Sequence, residues 1–585
     1  MASKKPIAKK RTEKRATLID ILPYIFIIAV VPLIVHLYLD KLTPIEASNW
    51  TSGNEYADLL SFWKSRWFII ASALGLFIFI IRNIQGRVPI RINPPLHIPT
   101  AIYILFIIIS TVASEYVSVA LSGFAARYEG MFILLFYILN MLIIFSLISE
   151  EGHFRIIFGA LLVSASIICI LGITQLAGRD FFNSNFGKSF ILPAKFAGSE
   201  LAFRFGKMVY GTLPNPNYMG SYVDLVFPIV IAVIFLAKKK SIKIAAAVLS
   251  VLLLINLIGS RSDAGLVGLG AGLLLAVIYF RKKIFRNKVI TVISLVIVLA
   301  AAGFAAVRFI PSYIDSNRQS YYVEDIVFEG STAKIVSSTE TLVIRYEDPN
   351  LTFHDADNKQ LEIDISAKEQ STTVKFKDPA YKKYTATVSG GVLEIQNDGV
   401  KILFLIRDNS LALMGNAGNE IDNISKPDAI DVRGYEKIGS ARIYIWSRAI
   451  PLLKNSILTG YGPDTFAIEF PQYDYIGKIN AYGTPNMIVD KPHNLYLQIA
   501  VNTGVISLIA FLVLIAVYVI NSVKLYFVRP GRSVYAQYGA AIFIGICSYL
   551  IAGLFNDSVV AVASVFWVLL GAGFACNRLL AGEQK

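Results

Sequence analysis

The chain alternates long apolar runs with short polar breaks, and that rhythm organises everything else in it. A membrane span needs roughly 17–25 mostly apolar residues. Runs of that kind fall at 19–38, 67–82, 98–114, 130–149, 156–176, 218–237, 243–259, 264–280, 289–310, 504–526, 536–555 and 558–575. The pattern predicts an all-α polytopic membrane protein with about twelve transmembrane helices. Between 330 and 415 the period drops to two. There TLVIRYED, LEIDISA, TTVKFKD, YTATVSG, VLEIQND and KILFLIRD alternate apolar and polar residues, with Gly, Asn, Asp and Pro between them. That alternation predicts antiparallel strands, hence a small all-β domain, sandwich or barrel, inserted in a large loop. His354, in FHDADNK, is expected in one of its turns. After the insert, Ile438, Ile443, Ile445, Trp446, Ile450, Leu452 and Leu453 predict an amphipathic helix with a basic edge, lying at the membrane surface and ended by a Gly-Tyr-Gly-Pro turn.

Composition agrees with lipid as the solvent. Of the 585 residues, 55% are hydrophobic and 16% charged, and mean hydropathy is +0.58. A net charge of +14 would suit a nucleic-acid binder, but the cations cluster in short segments between apolar runs. With the N-terminus inside, Arg82, Arg87 and Arg91, then Lys238, Lys239 and Lys240, then Arg281, Lys282, Lys283 and Arg286, then Lys524, Arg529 and Arg532 all fall in cytoplasmic loops, as the positive-inside rule requires. Nucleic acid is therefore no partner. The first apolar stretch reads as a retained helix, because no cleavable signal is evident. Cys169, Cys547 and Cys576 lie in or beside apolar runs and read as small hydrophobes, so no disulfide is expected.

The expected organisation is a basic cytoplasmic tail over 1–17 and nine transmembrane helices over 18–310. An extracytoplasmic β-rich insert follows over 311–435, then an extracytoplasmic amphipathic helix and loop over 436–492. The last three transmembrane helices fill 493–578, before a cytoplasmic tail over 579–585. Both termini are thus placed in the cytoplasm of a multi-pass cell-membrane protein. Outside lie the polar loop 177–217, the aromatic connector 115–129 and the large segment 311–492.

Walker loops, CxxC pairs, HExxH and nucleophile elbows are all missing from the sequence. His493, in DKPHNLYLQIAVNTG, sits where the exterior segment re-enters the membrane. It is either an interfacial residue capping a helix or an unpaired imidazole able to take a proton from a hydroxyl. Arg261, in LIGSRSDAGLVGLG, lies at the outer tip of a helical hairpin, where the positive-inside rule gives no reason for a cation. It pairs with Asp263 or clamps a phosphate. Arg442 and Arg448, six residues apart, could hold lipid headgroups or a substrate phosphate, and Arg127 is a fourth exterior arginine. Together, arginines holding a lipid diphosphate and a histidine activating a hydroxyl would suit glycan transfer.

FAARYEGM, TLPNPNYMGSY, GSRSDAG, GSARIYIWSRAIPLLKNSILTGYGPDTF and KPHNLYLQIAVNTGVISLIAF, in that order, resemble the bacterial O-antigen ligase and O-antigen polymerase superfamily, which includes protein O-oligosaccharyltransferases. The resemblance covers nearly all the membrane part and leaves out 330–415. It implies a membrane fold of the lipid-linked glycosyltransferase type and a glycan donor on undecaprenyl diphosphate. The transfer would be inverting and metal-independent, with no cofactor. His493 would be the essential histidine, with Arg261 and Arg442 on the diphosphate. Arg127 and Asn217 are further pocket candidates, as are Arg448, which could replace Arg442, and Asn494. The acceptor, whether glycan, protein or wall polymer, is not carried over because of the insert. An en bloc ligase is favoured, since a bulky exterior module suits a macromolecular acceptor. A polymerase joining lipid-linked repeats would use the same residues. A transporter or flippase should carry midplane charges and repeated halves; a surface sensor would leave His493 unexplained.

Overall fold

The computed structural model describes residues 16–48, 53–201, 203, 205–284, 319–368, 371–407, 410–415, 418–528 and 533–583. The expected span at 289–310, Arg286, Arg529, Arg532 and most of the expected basic tail lie outside these. Among the described residues nine helices are long and apolar enough to cross a membrane, and two shorter apolar helices accompany them. In chain order they are α1 (Leu18–Ala29), α2 (Phe62–Ile84), α3 (Pro94–Ala113), α4 (Met131–Leu147), α5 (Glu151–Leu176), α6 (Pro216–Leu236), α7 (Lys240–Ser260) and α8 (Asp263–Ile284). After a non-spanning pair, α9 (Arg442–Leu452) and α10 (Leu495–Thr503), come α11 (Val505–Val523), α12 (Val534–Ala552) and α13 (Val560–Glu583). The chain is a multi-pass membrane protein.

The bundle is organised around α13, whose apolar stretch is entirely buried. It packs against α4 and α12, and α12 packs in turn against α6 and α8. At Gly571 an added Cβ would meet the Met141 carbonyl at 2.4 Å, so glycine is what lets α13 approach α4 so closely. On the periphery, Trp67, Ile70, Leu74 and Phe77 of α2 are exposed, as a lipid-facing stripe requires.

Three expectations about boundaries are corrected. The first run does not continue to 38: α1 carries Pro23, ends at Ala29 and passes through a short 3₁₀ turn containing Pro32. The chain then forms an unforeseen ribbon, β1 (Tyr38–Lys41) with β2 (Glu55–Asp58). The last helix runs to Glu583, so most of the segment expected as a tail is helical. The helix expected after the insert is only α9, and one side of it packs on protein. Tyr444, Ile445 and Ala449 are buried in a protein core with Phe466, Phe470 and Val501.

The alternating segments form two antiparallel sheets whose strands are neighbours in chain order. One has four strands, β3 (Val323–Glu329), β4 (Thr332–Ser337), β5 (Thr341–Glu347) and β6 (Asn350–His354). The other has seven, from β7 (Ile363–Lys368) through β8 (Ser371–Phe376), β9 (Thr385–Ser389), β10 (Val392–Asn397), β11 (Val400–Arg407) and β12 (Ser410–Met414) to β13 (Glu420–Ile421). Ile335, Ile344 and Phe353 of the first share one core with Val374, Leu393 and Phe404 of the second, which makes a sandwich. His354 is not in a turn; it is the buried last residue of β6, ahead of the turn at Asp355. The three cysteines are free, as expected.

A helix at Tyr475–Tyr482 joins the sandwich to the rest by placing Ile476 and Ile479 in its core. The buried Asn480 side chain acts as an extra strand partner. Its amide donates to the Val323 carbonyl at 2.8 Å, and its oxygen accepts from the Val323 N–H at 2.8 Å. Asn480→Ala would strand both backbone groups, at about 1–3 kcal/mol each. Limited proteolysis of the purified variant should show faster cleavage in the sandwich than in wild type, with the helical bundle still protected.

Candidate functional site

The polar turn 553–559, reading GLFNDSV between α12 and α13, gathers the chemistry. Its central residue, Asp557, is fully buried. One carboxylate oxygen accepts from Arg127 Nη1 at 3.0 Å and from the Tyr218 hydroxyl at 2.9 Å. The other lies 3.4 Å from His493 Nδ1. Other residues of the turn bind the same surroundings. Asn494 Nδ2 donates to the Leu554 carbonyl at 2.9 Å, and Arg442 Nε to the Phe555 carbonyl at 2.9 Å. Asn556 Nδ2 donates to the Asn217 carbonyl at 3.1 Å, and the Ser558 N–H to Gln498 at 2.9 Å.

Local sequence explains how each group is aimed. In KPHNLYL, Asn494 is the N-cap of α10, accepting from the Tyr496 and Leu497 N–H groups. The Leu495 N–H donates to the Gly553 carbonyl, and the Tyr496 hydroxyl to the Leu550 carbonyl, so the motif bolts α10 to the end of α12. Immediately before the cap, His493 takes a left-handed backbone (φ 48°) that few residues other than glycine adopt, and its side chain is a quarter exposed. On α9, Arg442 and Trp446 are four residues apart and share a face. Trp446 Nε1 donates to the Pro492 carbonyl at 2.8 Å, and its ring stacks on Phe555. Arg448 points elsewhere, to Asp474 at 2.8 Å. The GYGPD turn needs its glycines. A Cβ on Gly460 (φ 67°) would meet the Asn502 carbonyl at 2.4 Å, and the turn sets its N–H groups on the end of α10. Asp464 then reaches Arg127 Nε at 2.6 Å and accepts from the Phe124 and Glu129 N–H groups.

The electrostatics follow from burial. Arg127 is buried among Asp464, Asp557 and, at 3.6 Å, Glu129. Burial pushes the Glu129 carboxyl up to about 7 against the pull of Arg127, so near neutrality this third carboxyl carries only part of a charge. Burial also acts against the Asp557 carboxylate, but Lys491, the adjacent His493 and Arg127 outweigh it and hold the group well below the usual carboxylate range. Lys491 sits over the Tyr218 ring at 5.4 Å. Burial disfavours its charge, yet Asp490, Tyr218 and Asp557 keep it protonated above the ordinary lysine range.

Of the residues singled out in the sequence, His493, Arg442, Asn494, Arg127 and Asn217 therefore meet around one turn. Arg261 stands next to Ser262, whose hydroxyl donates to the Asn217 carbonyl at 3.1 Å. It is exposed and left-handed (φ 55°) at the end of α7. The structure gives four of these residues partners within the chain. His493 Nδ1 faces Asp557. Arg127 is buried with three carboxylates. Arg448 pairs with the buried Asp474. Asn494 spends both ends of its amide on helix capping and on Leu554. Asp557, Lys491, Asp464, Tyr218 and Asn556 were missed. Asn556 and Asp557 were visible as the two polar residues between the runs ending at 555 and beginning at 558, by the same logic that picked out Arg261. Among the described residues no group of three or more His, Cys, Asp or Glu is placed to hold a metal ion.

Residues 399–512 match the O-antigen ligase family, which supports membership of the O-antigen ligase superfamily and suggests a function of the ligase or polymerase type. The match starts at the end of the sandwich, with β11 to β13, and includes Arg442, Arg448, His493 and Asn494. No curated protein gives a match to the chain.

Arg127→Ala would leave Asp464 and Asp557 buried without their shared cation, a change that costs about 3–5 kcal/mol in comparable buried pairs. Thermal unfolding of the purified protein should show a lower Tm, whereas Arg448→Ala, which unpairs the single carboxylate of Asp474, should show a smaller drop.

Proposed function

We propose that the protein is a glycan ligase that moves a glycan from an undecaprenyl-diphosphate carrier to an acceptor hydroxyl at the outer face of the plasma membrane. The observation that carries this reading is the His493–Asp557 pair, set beside Arg442 and the turn bearing Arg261. Asp557 is ionised, so its partner nitrogen Nδ1 bears the proton and Nε2 is left as the base. The acceptor oxygen attacks the anomeric carbon of the donor as its proton passes to Nε2. The bond from that carbon to the phosphate oxygen breaks, and its electron pair leaves with the lipid diphosphate. Attack from the face opposite the leaving group inverts the anomeric centre. Arg442 and Arg261 offset the charge gathering on the diphosphate, so the transfer needs neither metal nor cofactor. Asn217 shapes the pocket by fixing Ser262 and Asn556.

The orientation is supported by charge. Arg82, Arg87, Arg91 and Lys238 to Lys240 lie at the helix ends opposite the 553–559 turn. The positive-inside rule places that end, and both termini, in the cytoplasm. A ligase is favoured over a polymerase because a rigidly docked sandwich beside the site suits a macromolecular acceptor.

The reading is tested in a strain lacking the native gene. His493→Ala should accumulate lipid-linked glycan and lose the transferred surface product, while reaching the membrane at wild-type levels. Arg261→Lys should lose most of its activity, because a lysine cannot bind phosphate oxygens bidentately. Normal surface product from His493→Ala would overturn the base assignment. Products extended by repeat units, instead of one glycan added whole, would favour the polymerase.

A further inference from the structure

Away from His493, a groove of 490 Å³ opens between α9 and the segment that follows the GYGPD turn. Its walls present Tyr473, Tyr475, Asn455, Asp428 and Glu469, together with Asn419 from the β12–β13 hairpin of the sandwich. The Tyr473 ring is 48% exposed, and so is open to a partner. The framework behind it is fixed. The Gln472 amide donates to the Ala467 and Val489 carbonyls and accepts from the Val489 N–H. Asp474 caps the next helix through the Gly477 N–H while holding Arg448. Rings and polar groups on so rigid a frame bind without a large ordering cost.

The charge of the groove narrows what it would take. Arg448 is neutralised by Asp474, and Lys454 at the rim lies 3.3 Å from Asp428. Glu469 makes no ion pair among the described residues; burial and the nearby Glu115 push its carboxyl up to about 7. Among the described lining residues no unpaired cation is left for a polyanion. Aromatic faces beside amides and carboxyl groups instead match an uncharged sugar chain, whose flat C–H faces pack on rings and whose hydroxyls hydrogen-bond to the polar groups. Ile488 lines the groove and precedes His493 by five residues, so the two are separated by at most about 18 Å of extended chain.

We propose that this groove is a subsite for an uncharged glycan, which holds the acceptor chain while its terminal hydroxyl reaches His493. The proposal rests on the ligase reading and names its acceptor class. It also gives the sandwich a role, because Asn419 supplies part of the wall.

The test is binding, which needs no turnover. Full-length protein in detergent is titrated calorimetrically with neutral oligosaccharides released from the host's own cell-envelope polysaccharide, and in parallel with a glycerol-phosphate oligomer. Wild type should bind the neutral oligosaccharides and not the polyanion. Tyr473→Ala, with its Tm unchanged, should bind roughly tenfold more weakly, and Tyr473→Phe nearly as well as wild type. His493→Ala should bind like wild type, so a failed transfer reaction and a failed groove are told apart. Equal binding by wild type and Tyr473→Ala, preference for the glycerol-phosphate oligomer, or no binding of the neutral oligosaccharides would each overturn the proposal.

Discussion

A carboxylate sealed at the head of a membrane bundle must be met by cations and hydrogen-bond donors, because burial takes it out of bulk solvent. Asp557 imposes that condition on this protein, and much of the site's architecture answers it. Arg127 and Tyr218 bond one of its oxygens, His493 faces the other, and Lys491 adds charge from nearby. Arg127 in turn requires Asp464, which the GYGPD turn delivers from about 340 residues further along the chain. Segments that are remote in sequence are thus tied to one short turn between the last two helices. His493 is thereby placed with Nδ1 3.4 Å from an immobilised carboxylate.

That ionic lattice also divides the arginines by task. Arg127 and Arg448 are each matched by internal carboxylates and act on structure. Arg442 lies against the 553–559 turn through the Phe555 carbonyl, and Arg261 is exposed on the turn whose Ser262 bonds Asn217. The sandwich, locked by Asn480, extends the same rigid platform away from the bundle towards the groove at Tyr473.

Hydropathy carried most of the helical architecture, since lipid imposes one simple rule on length and polarity. It failed where backbone chemistry intervened, as with Pro23 and Pro32 cutting short the first run. Alternation revealed the strands, because a one-residue slip would have turned their core outwards. The sequence drew attention to His493 by its position and to Arg442 through the resemblance. Their contacts in the fold were not legible, because partners separated by tens or hundreds of residues leave no periodic trace. Between Arg442 and Arg448 the sequence offered no choice; Asp474, paired with Arg448, lies 26 residues further along the chain. Asp557 was overlooked because the two flanking apolar runs nearly touch, which hid a seven-residue turn behind a two-residue gap.

The central claim is that His493 and Asp557 act as one unit. It is tested most directly by single-turnover transfer from a purified lipid-diphosphate-linked glycan, using wild type, His493→Ala, Asp557→Asn and the double variant in lipid nanodiscs. The account predicts that each single variant loses at least about 10²-fold in rate, and that the double variant is no slower than the worse single one. Wild-type rates from folded Asp557→Asn, or losses that multiply in the double variant, would contradict it.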